Sequence, residues 1–271
     1  MRGDTTVCSN RVVLRGGLWA LVLVAACGVA SYGAPPEVMS GTFSGEVVTL
    51  FLDRQIVQSW LPSGLHVADD CPFERHPVVI LYGTQTNLAR QKWIKRELPF
   101  GRHYLETFVA VPYLRVDRTR YDEHVFYFAR VYLDNRRATN QGVRRFGWEK
   151  VYTALADQGR HHRIWSPGGR LIFAASGLGG PSRPADPATE SCRMLVSWFD
   201  QTLVLKHEGR FDRYNFDLHC ESASIRAVDT KLTIGRDFMP GTERMEGEVQ
   251  GIDRQEFGTF HLSCHFTKAP K

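Results

Sequence analysis

Runs of apolar, β-branched and aromatic residues alternate with short polar stretches along most of this chain. Such runs predict β-strands, and they occur at residues 46–52, 77–82, 107–111, 125–133, 171–175, 194–199 and 259–266. Helical patterns are few and short, at residues 54–61, 87–93 and 136–146. Many strands with few helices predict an α+β, mainly antiparallel β-fold, in which short helices lie at the edge of a large sheet or barrel.

Residues 1–34 have a different pattern from the rest of the chain. Arg2, Arg11 and Arg15 precede an apolar run at residues 18–30, and small residues end that run. The run is shorter than the roughly 20 residues that a membrane-spanning helix needs, and the arrangement is typical of an export signal. The sequence Val-Ala-Ala-Cys ending at Cys27 also resembles a bacterial lipoprotein cleavage box. We therefore predict a signal peptide or lipoprotein signal over 1–34 and one folded domain over 35–271.

The predicted location is exported: periplasmic, secreted, or membrane-anchored as a lipoprotein. Removal of about 30 residues from the amino terminus is the expected result of export from a bacterial host. Intact-mass measurement of the mature protein would check it. A cytosolic product that still begins at Met1 would contradict the prediction.

Charge and motifs exclude several classes of protein. The net charge is +5, and the densest basic cluster consists of Arg136, Arg137, Arg144 and Arg145. Without aromatic residues interleaved on a nucleic-acid-binding fold, this cluster predicts no nucleic acid partner. No nucleophile-elbow, phosphate-loop or dinucleotide-binding motif is present.

Four cysteines lie beyond residue 34, at positions 71, 192, 220 and 264. They are equally consistent with up to two disulfides in an oxidising compartment and with small buried apolar side chains. Two of them adjoin histidines, in His219-Cys220 and Cys264-His265. Adjacent residues of a strand point to opposite faces of a sheet, so we expect no metal site there.

Lys150 is the candidate for covalent chemistry. It lies next to Val151 and between the aromatic residues Trp148 and Tyr152. An ammonium among apolar neighbours loses hydration, and a lysine held neutral is a nucleophile toward carbonyl groups. The alternative is a lysine whose stem covers apolar surface while its amine remains in water.

The block from Val131 to Lys150 resembles the active-site block of the acetoacetate decarboxylase family. In that family a strand ending Tyr-Leu-Asp-Asn leads through a glycine-containing helix into an aromatic-Pro-Lys-Lys sequence. The matching positions here, without a gap, are Tyr132, Leu133, Asp134, Asn135, Gly142, Trp148 and Lys150. The resemblance places Lys150 on the family's Schiff-base lysine. It implies an antiparallel, barrel-like sheet that encloses an apolar cavity.

A second segment extends the resemblance. Tyr104-Leu-Glu106, followed by Ala110-Val-Pro112, is similar to the family's Tyr-x-Glu and Ala-x-Pro sequences, which places Glu106 on the active-site glutamate. Three features depart from the family pattern. Val151 replaces the second lysine, Glu149 replaces the proline, and residues 46–52 lack the arginine that meets the substrate carboxylate.

The resemblance implies a Schiff-base-forming lyase that acts on a small keto acid or carbonyl compound by decarboxylation or by an aldol or dehydration step. Lys150 and Glu106 are the predicted catalytic residues. The predicted substrate-binding residues are Trp148, Tyr132, Phe128 and Val151. No cofactor and no metal are expected.

The alternative is a non-catalytic binding barrel for a small apolar ligand, in which Lys150 is a structural hydrogen-bond donor. The missing second lysine favours this alternative, whereas the retained Lys150 and Glu106 favour an enzyme. The predicted partner is a small carbonyl substrate or apolar ligand, and the sequence allows a homo-oligomer.

Overall fold

The computed structural model describes residues 38–91, 95–98, 103–117, 123–158, 161–177, 183–184, 188, 194, 197–198, 201–219, 226–235, 237–240, 242 and 247–265. The predicted export segment lies outside them. No helix in this described part of the chain is long and apolar enough to cross a bilayer. The helices with defined bounds are α1 (Arg54–Gln58) and α2 (Arg136–Phe146). The strands are β1 (Val38–Leu52), β2 (Leu65–Val67), β3 (His76–Gln91), β4 (Lys95–Glu97), β5 (His103–Val116), β6 (Val125–Leu133), β7 (Lys150–Tyr152), β8 (Leu155–Gln158), β9 (His161–Trp165), β10 (Leu171–Gly177), β11 (Arg183–Pro184), β12 (Thr202–His207), β13 (Arg210–His219), β14 (Arg226–Ile234) and β15 (Gly247–His265).

The strands form one mainly antiparallel sheet. Its pairing order is β1-β3-β5-β6-β12-β13-β15-β14-β10-β9-β8, and β1 also pairs with β15. Hydrogen-bonded neighbours therefore lead from β1 through β3, β5, β6, β12, β13 and β15 back to β1. The parallel pairs are those of β6 with β12 and of β6 with β7. This architecture confirms the predicted α+β, mainly antiparallel class with a large sheet and few short helices.

The central strands are buried on both faces. One face contributes to core A, a cluster that includes Phe43, Leu81, Phe108, Phe126, Phe128 and Trp148. The other face contributes to core B, which includes Val48, Ile80, Tyr82, Val109, Tyr132 and Phe173. Successive residues of a strand point to opposite faces, so a strand between two apolar cores is apolar at nearly every position. This explains why residues 125–133 are apolar at every position except Arg130.

Two predicted elements are wrong. Residues 87–91 of the predicted helix 87–93 are not helical, because they continue β3, and residues 89–91 pair with β1. Asn87 takes a positive φ of 53°, close to an irregularity in the pairing of β1 and β3. Long-range strand pairing overrides the local helical pattern there.

The described residues of the predicted strand 194–199 are not in a strand. Met194, Ser197 and Trp198 are helical, and the hydroxyl of Ser197 donates to the carbonyl of Met194 at 2.9 Å. Met194 and Trp198 are four residues apart and both are buried in core A. Helical spacing therefore brings both large side chains into the same core.

The structure describes one cysteine side chain of the four. Cys71 is a buried free thiol, and burial raises its pKa. Cys192 and Cys220 lie outside the described residues. Cys71 therefore fits the alternative of a small buried apolar side chain, and two disulfides among the four cysteines are excluded.

Candidate active site

The segment that carries Lys150 leaves the sheet at the end of β6 and returns to it at β7. Asp134 accepts a hydrogen bond from the backbone N–H of Leu105 at 2.9 Å. Asn135 caps α2 by accepting from two of its first backbone N–H groups, both at 3.1 Å. These bonds are typical of Asp and Asn at the end of a strand and the start of a helix. The helix ends at Gly147, which has the left-handed φ of 65° that favours glycine.

β7 places Lys150 next to the strand from which the segment began. Lys150 pairs with Val131 of β6 in parallel, and the N–H of Val131 donates to the carbonyl of Glu149 at 2.8 Å. Val131 belongs to core A. α2 is therefore a short crossover that returns the lysine to the sheet.

Lys150 and Glu106 form a buried ion pair. The lysine Nζ donates to Glu106 Oε1 at 3.1 Å, and their side chains are only 8% and 3% exposed. Glu106 lies on β5, opposite Leu133 of β6 and Gly83 of β3. The structure thus brings together the two predicted catalytic residues, which are 44 positions apart in sequence. In the described part of the chain, no group of three or more His, Cys, Asp or Glu side chains is placed to hold a metal ion.

An aromatic cluster of core A lies against the lysine of this pair. Lys150 Nζ lies 4.5 Å from the centroid of the Trp148 ring, within the range of cation–π attraction. The Trp148 ring contacts Phe108 and Phe128, with ring centroids 6.2 and 5.3 Å away. Walls of this kind exclude water and strengthen the electrostatic interactions between the groups inside them.

Glu106 is placed to exchange a proton with the lysine. Burial raises the pKa of its carboxyl, the Lys150 ammonium offsets part of that rise, and Asp134 adds to it. Burial also raises the pKa of the neighbouring Tyr104 well above its usual value, so its phenol stays protonated. Transfer of a proton from the ammonium to Glu106 would leave both groups uncharged, which an apolar core favours.

The predicted substrate-binding residues divide between the two cores. Trp148 and Phe128 lie with the ion pair in core A. Tyr132 belongs to core B, where its hydroxyl donates to a backbone carbonyl, and Val151 packs against the same core. Val151 lies on the opposite side of β7 from Lys150. A valine in place of a second lysine at this position therefore takes no positive charge away from the side of the strand that carries the Lys150 amine. Glu149 is exposed.

Gly142 belongs to the site, although the sequence indicated only its place in the helix. A Cβ at this position would lie 2.5 Å from Lys150 Cδ and 2.6 Å from Cε. The stem of the lysine therefore occupies the space that a side chain at position 142 would fill. Glycine is unfavourable inside a helix, and its presence within 136–146 was the signal that another group approaches closely there.

Comparisons with known proteins support the same architecture. Neither protein-family models nor curated protein sequences match this chain. An acetoacetate decarboxylase-like enzyme from Sphingomonas wittichii RW1 matches its structure with a TM-score of 0.58 and 14% identity, over 92% of this chain and 98% of that one. Acetoacetate decarboxylase from Legionella pneumophila matches with a TM-score of 0.56 and 15% identity, over 92% of each chain.

A third solved structure is the enduracididine biosynthesis enzyme MppR complexed with pyruvate. It matches with a TM-score of 0.54 and 13% identity, over 88% of this chain and 91% of that one. Identities this low describe a likeness of fold. The resemblance predicted from the sequence is confirmed at that level, and the chain has a divergent acetoacetate decarboxylase-like fold.

Proposed function

We propose that this chain, whose fold is that of acetoacetate decarboxylase-like enzymes, is a lyase that forms a Schiff base between Lys150 and a small carbonyl compound. The observation that carries the proposal is the buried ion pair, in which Lys150 Nζ lies 3.1 Å from Glu106 Oε1. A buried amine beside a carboxyl group that can take its proton has the two properties that imine formation requires. The aromatic cluster of Trp148, Phe108 and Phe128, whose tryptophan lies against the amine, limits hydrolysis of the product.

The chemistry follows from the positions of the two groups. Glu106 accepts a proton from the Lys150 ammonium, and the neutral amine attacks the carbonyl carbon of the substrate. The C–N bond forms, and the carbonyl oxygen leaves as water with the two amine hydrogens. Glu106 returns its proton to the nitrogen and gives an iminium. The iminium withdraws electrons from the neighbouring carbon, so a C–C bond or a C–H bond at that carbon breaks more easily.

Borohydride trapping tests the proposal. The protein is incubated with a panel of small ketones, aldehydes and keto acids, reduced with borohydride, and digested for peptide mapping. The expected result is one secondary-amine adduct, on Lys150. Lys206 is the internal control, because its amine hydrogen-bonds to Ser63 and lies 5.8 Å from the Phe211 ring without being buried. If Lys150 were modified no faster than Lys206 by every compound, the chain would be a binding barrel without this chemistry.

Gly142→Ala provides a milder test of the same geometry. The new methyl group would displace the Lys150 stem, whose Cδ and Cε lie within 2.6 Å of its position, and would move the amine relative to Glu106. The fold should persist, because alanine is favoured over glycine inside a helix by roughly 0.5–1 kcal/mol. We expect trapping on Lys150 to slow by about tenfold or more. Gln141→Ala, at an exposed neighbouring position of α2, should leave the trapping rate unchanged.

A further inference from the structure

The indole N–H of Trp148 is a buried hydrogen-bond donor beside Lys150. Its Nε1 atom is buried and has no hydrogen-bond partner among the described residues, and the whole side chain is 8% exposed. Buried polar groups in proteins are nearly always paired, because an unmade hydrogen bond in an apolar environment is unfavourable. An unpaired donor in this position indicates that a bound molecule supplies the acceptor.

The same indole lies against the amine that would hold the substrate. The ring centroid is 4.5 Å from Lys150 Nζ, and the ring packs against Phe108 and Phe128. A molecule joined to Nζ through its carbonyl carbon must therefore lie beside Trp148. The substrate-bearing amine and the unpaired donor thus belong to neighbouring side chains of the same buried site.

The charge of the site decides which kind of oxygen it accepts. Lys150 and Glu106 form a pair whose charges cancel, and the other charged group that acts on Glu106 is the carboxylate of Asp134. An uncharged substrate leaves the pair balanced at each step of iminium formation. A keto acid would add one buried negative charge, and the neutral N–H of Trp148 cannot compensate for it.

We propose that Trp148 is a specificity-determining residue, which donates its indole N–H to an uncharged oxygen on the carbon adjacent to the substrate carbonyl. The substrates of this class are α-hydroxy and α-alkoxy ketones and aldehydes. The proposal rests on the Schiff-base function of Lys150, and it restricts that function to neutral oxygenated carbonyl compounds.

Matched probes test it in the wild-type protein. Hydroxyacetone and methoxyacetone carry the adjacent oxygen, butanone replaces it with carbon, and pyruvate replaces it with a carboxylate. Borohydride trapping rates on Lys150 are divided by the rates with n-butylamine, which removes the intrinsic reactivity of each probe. We expect both oxygenated ketones to be trapped about tenfold faster than butanone, the difference that one neutral hydrogen bond makes. Pyruvate should be trapped more slowly than either.

Trp148→Phe removes the N–H and keeps an aromatic ring against the amine. In this variant the trapping rates of hydroxyacetone and methoxyacetone should each fall to that of butanone, so that the rate ratio to butanone is about one, whatever the absolute rates are. An unchanged preference in the variant, or faster trapping of pyruvate than of hydroxyacetone in the wild type, would overturn the proposal and leave the Schiff-base function standing. Absence of trapping by every probe would overturn both. If the variant fails to fold, the comparison of methoxyacetone with butanone in the wild type still decides.

Discussion

Replacement of Lys150 with methionine is expected to abolish turnover of any carbonyl compound that the wild-type protein traps. The loss should be at least roughly a thousandfold, because a thioether cannot form the covalent bond and no second amine contacts Glu106 in the described part of the chain. Steady-state assay of the variant against the best-trapped compound is the measurement. Lys206→Met, at the partly exposed control lysine, should keep full activity.

The same substitution should destabilise the protein, and a second substitution should restore stability without restoring activity. Methionine leaves Glu106 buried without its cation, which costs on the order of 3–5 kcal/mol when one partner of a buried pair is removed. In the double variant Lys150→Met/Glu106→Gln both charges are gone, and most of that free energy of unfolding should return. Urea unfolding at pH 7 measures it. Turnover by the stable double variant would contradict the assignment of Lys150 as the nucleophile.

Mild acid is expected to destabilise the fold through two buried histidines. Burial lowers the pKa of His76 to about 4 and that of His162 to about 3. Their rings hydrogen-bond through Nε2 to the carbonyl of Pro112 and to the hydroxyl of Thr107, both at 2.8 Å. In the unfolded chain a histidine binds a proton near pH 6.5. Their contribution to stability is therefore complete above pH 6.5 and is lost as the pH falls toward 4 and 3.

Between pH 7 and pH 5 each histidine should lower the free energy of unfolding by roughly 2 kcal/mol, from its preferential protonation in the unfolded state. The sum is a large share of the roughly 5–15 kcal/mol that stabilises a typical domain. Urea unfolding at the two pH values, for the wild type and for His76→Gln and His162→Gln, isolates each contribution. Gln141→Ala, at an exposed position without a titratable group, should leave the pH dependence as it is. An unchanged dependence in both buried-site variants would contradict the assignment.

Much of the architecture follows from local sequence pattern. The run at 125–133 predicted β6 with its observed bounds, and the polar segment 136–146 predicted α2. Both elements have strong local signals: a strand apolar enough for two cores, and a helix with an Asn cap and a glycine stop. The pairing of Lys150 with Glu106 came from the family resemblance of two short segments. Composition alone contains no information about a contact across 44 positions.

The predictions from sequence are wrong where contacts between distant parts of the chain determine the secondary structure. Asn87 belongs to β3 because β3 pairs with β1 along this part of the chain. Trp198 is helical because helical spacing lets both Trp198 and Met194 pack in core A. The assignment of Tyr132 and Val151 to the lysine's pocket required knowing how β7 sits beside β6. Neighbouring positions on these strands differ in the core that they face, and the sequence does not specify which core receives Lys150.

The burial of the central strands on both faces has a consequence for how the chain avoids misfolding. Between two apolar cores, a strand whose register is shifted by one residue would bury almost as much apolar surface as the same strand in its native register. Burial of apolar surface therefore favours the native register only weakly. The polar residues Glu106 and Thr107 favour the native register of β5 strongly. A one-position slip of β5 would place the carboxylate in core B, away from Lys150, and a buried charge without a partner is several kcal/mol less stable. The ion pair proposed for catalysis therefore also favours the native register of β5 in the sheet.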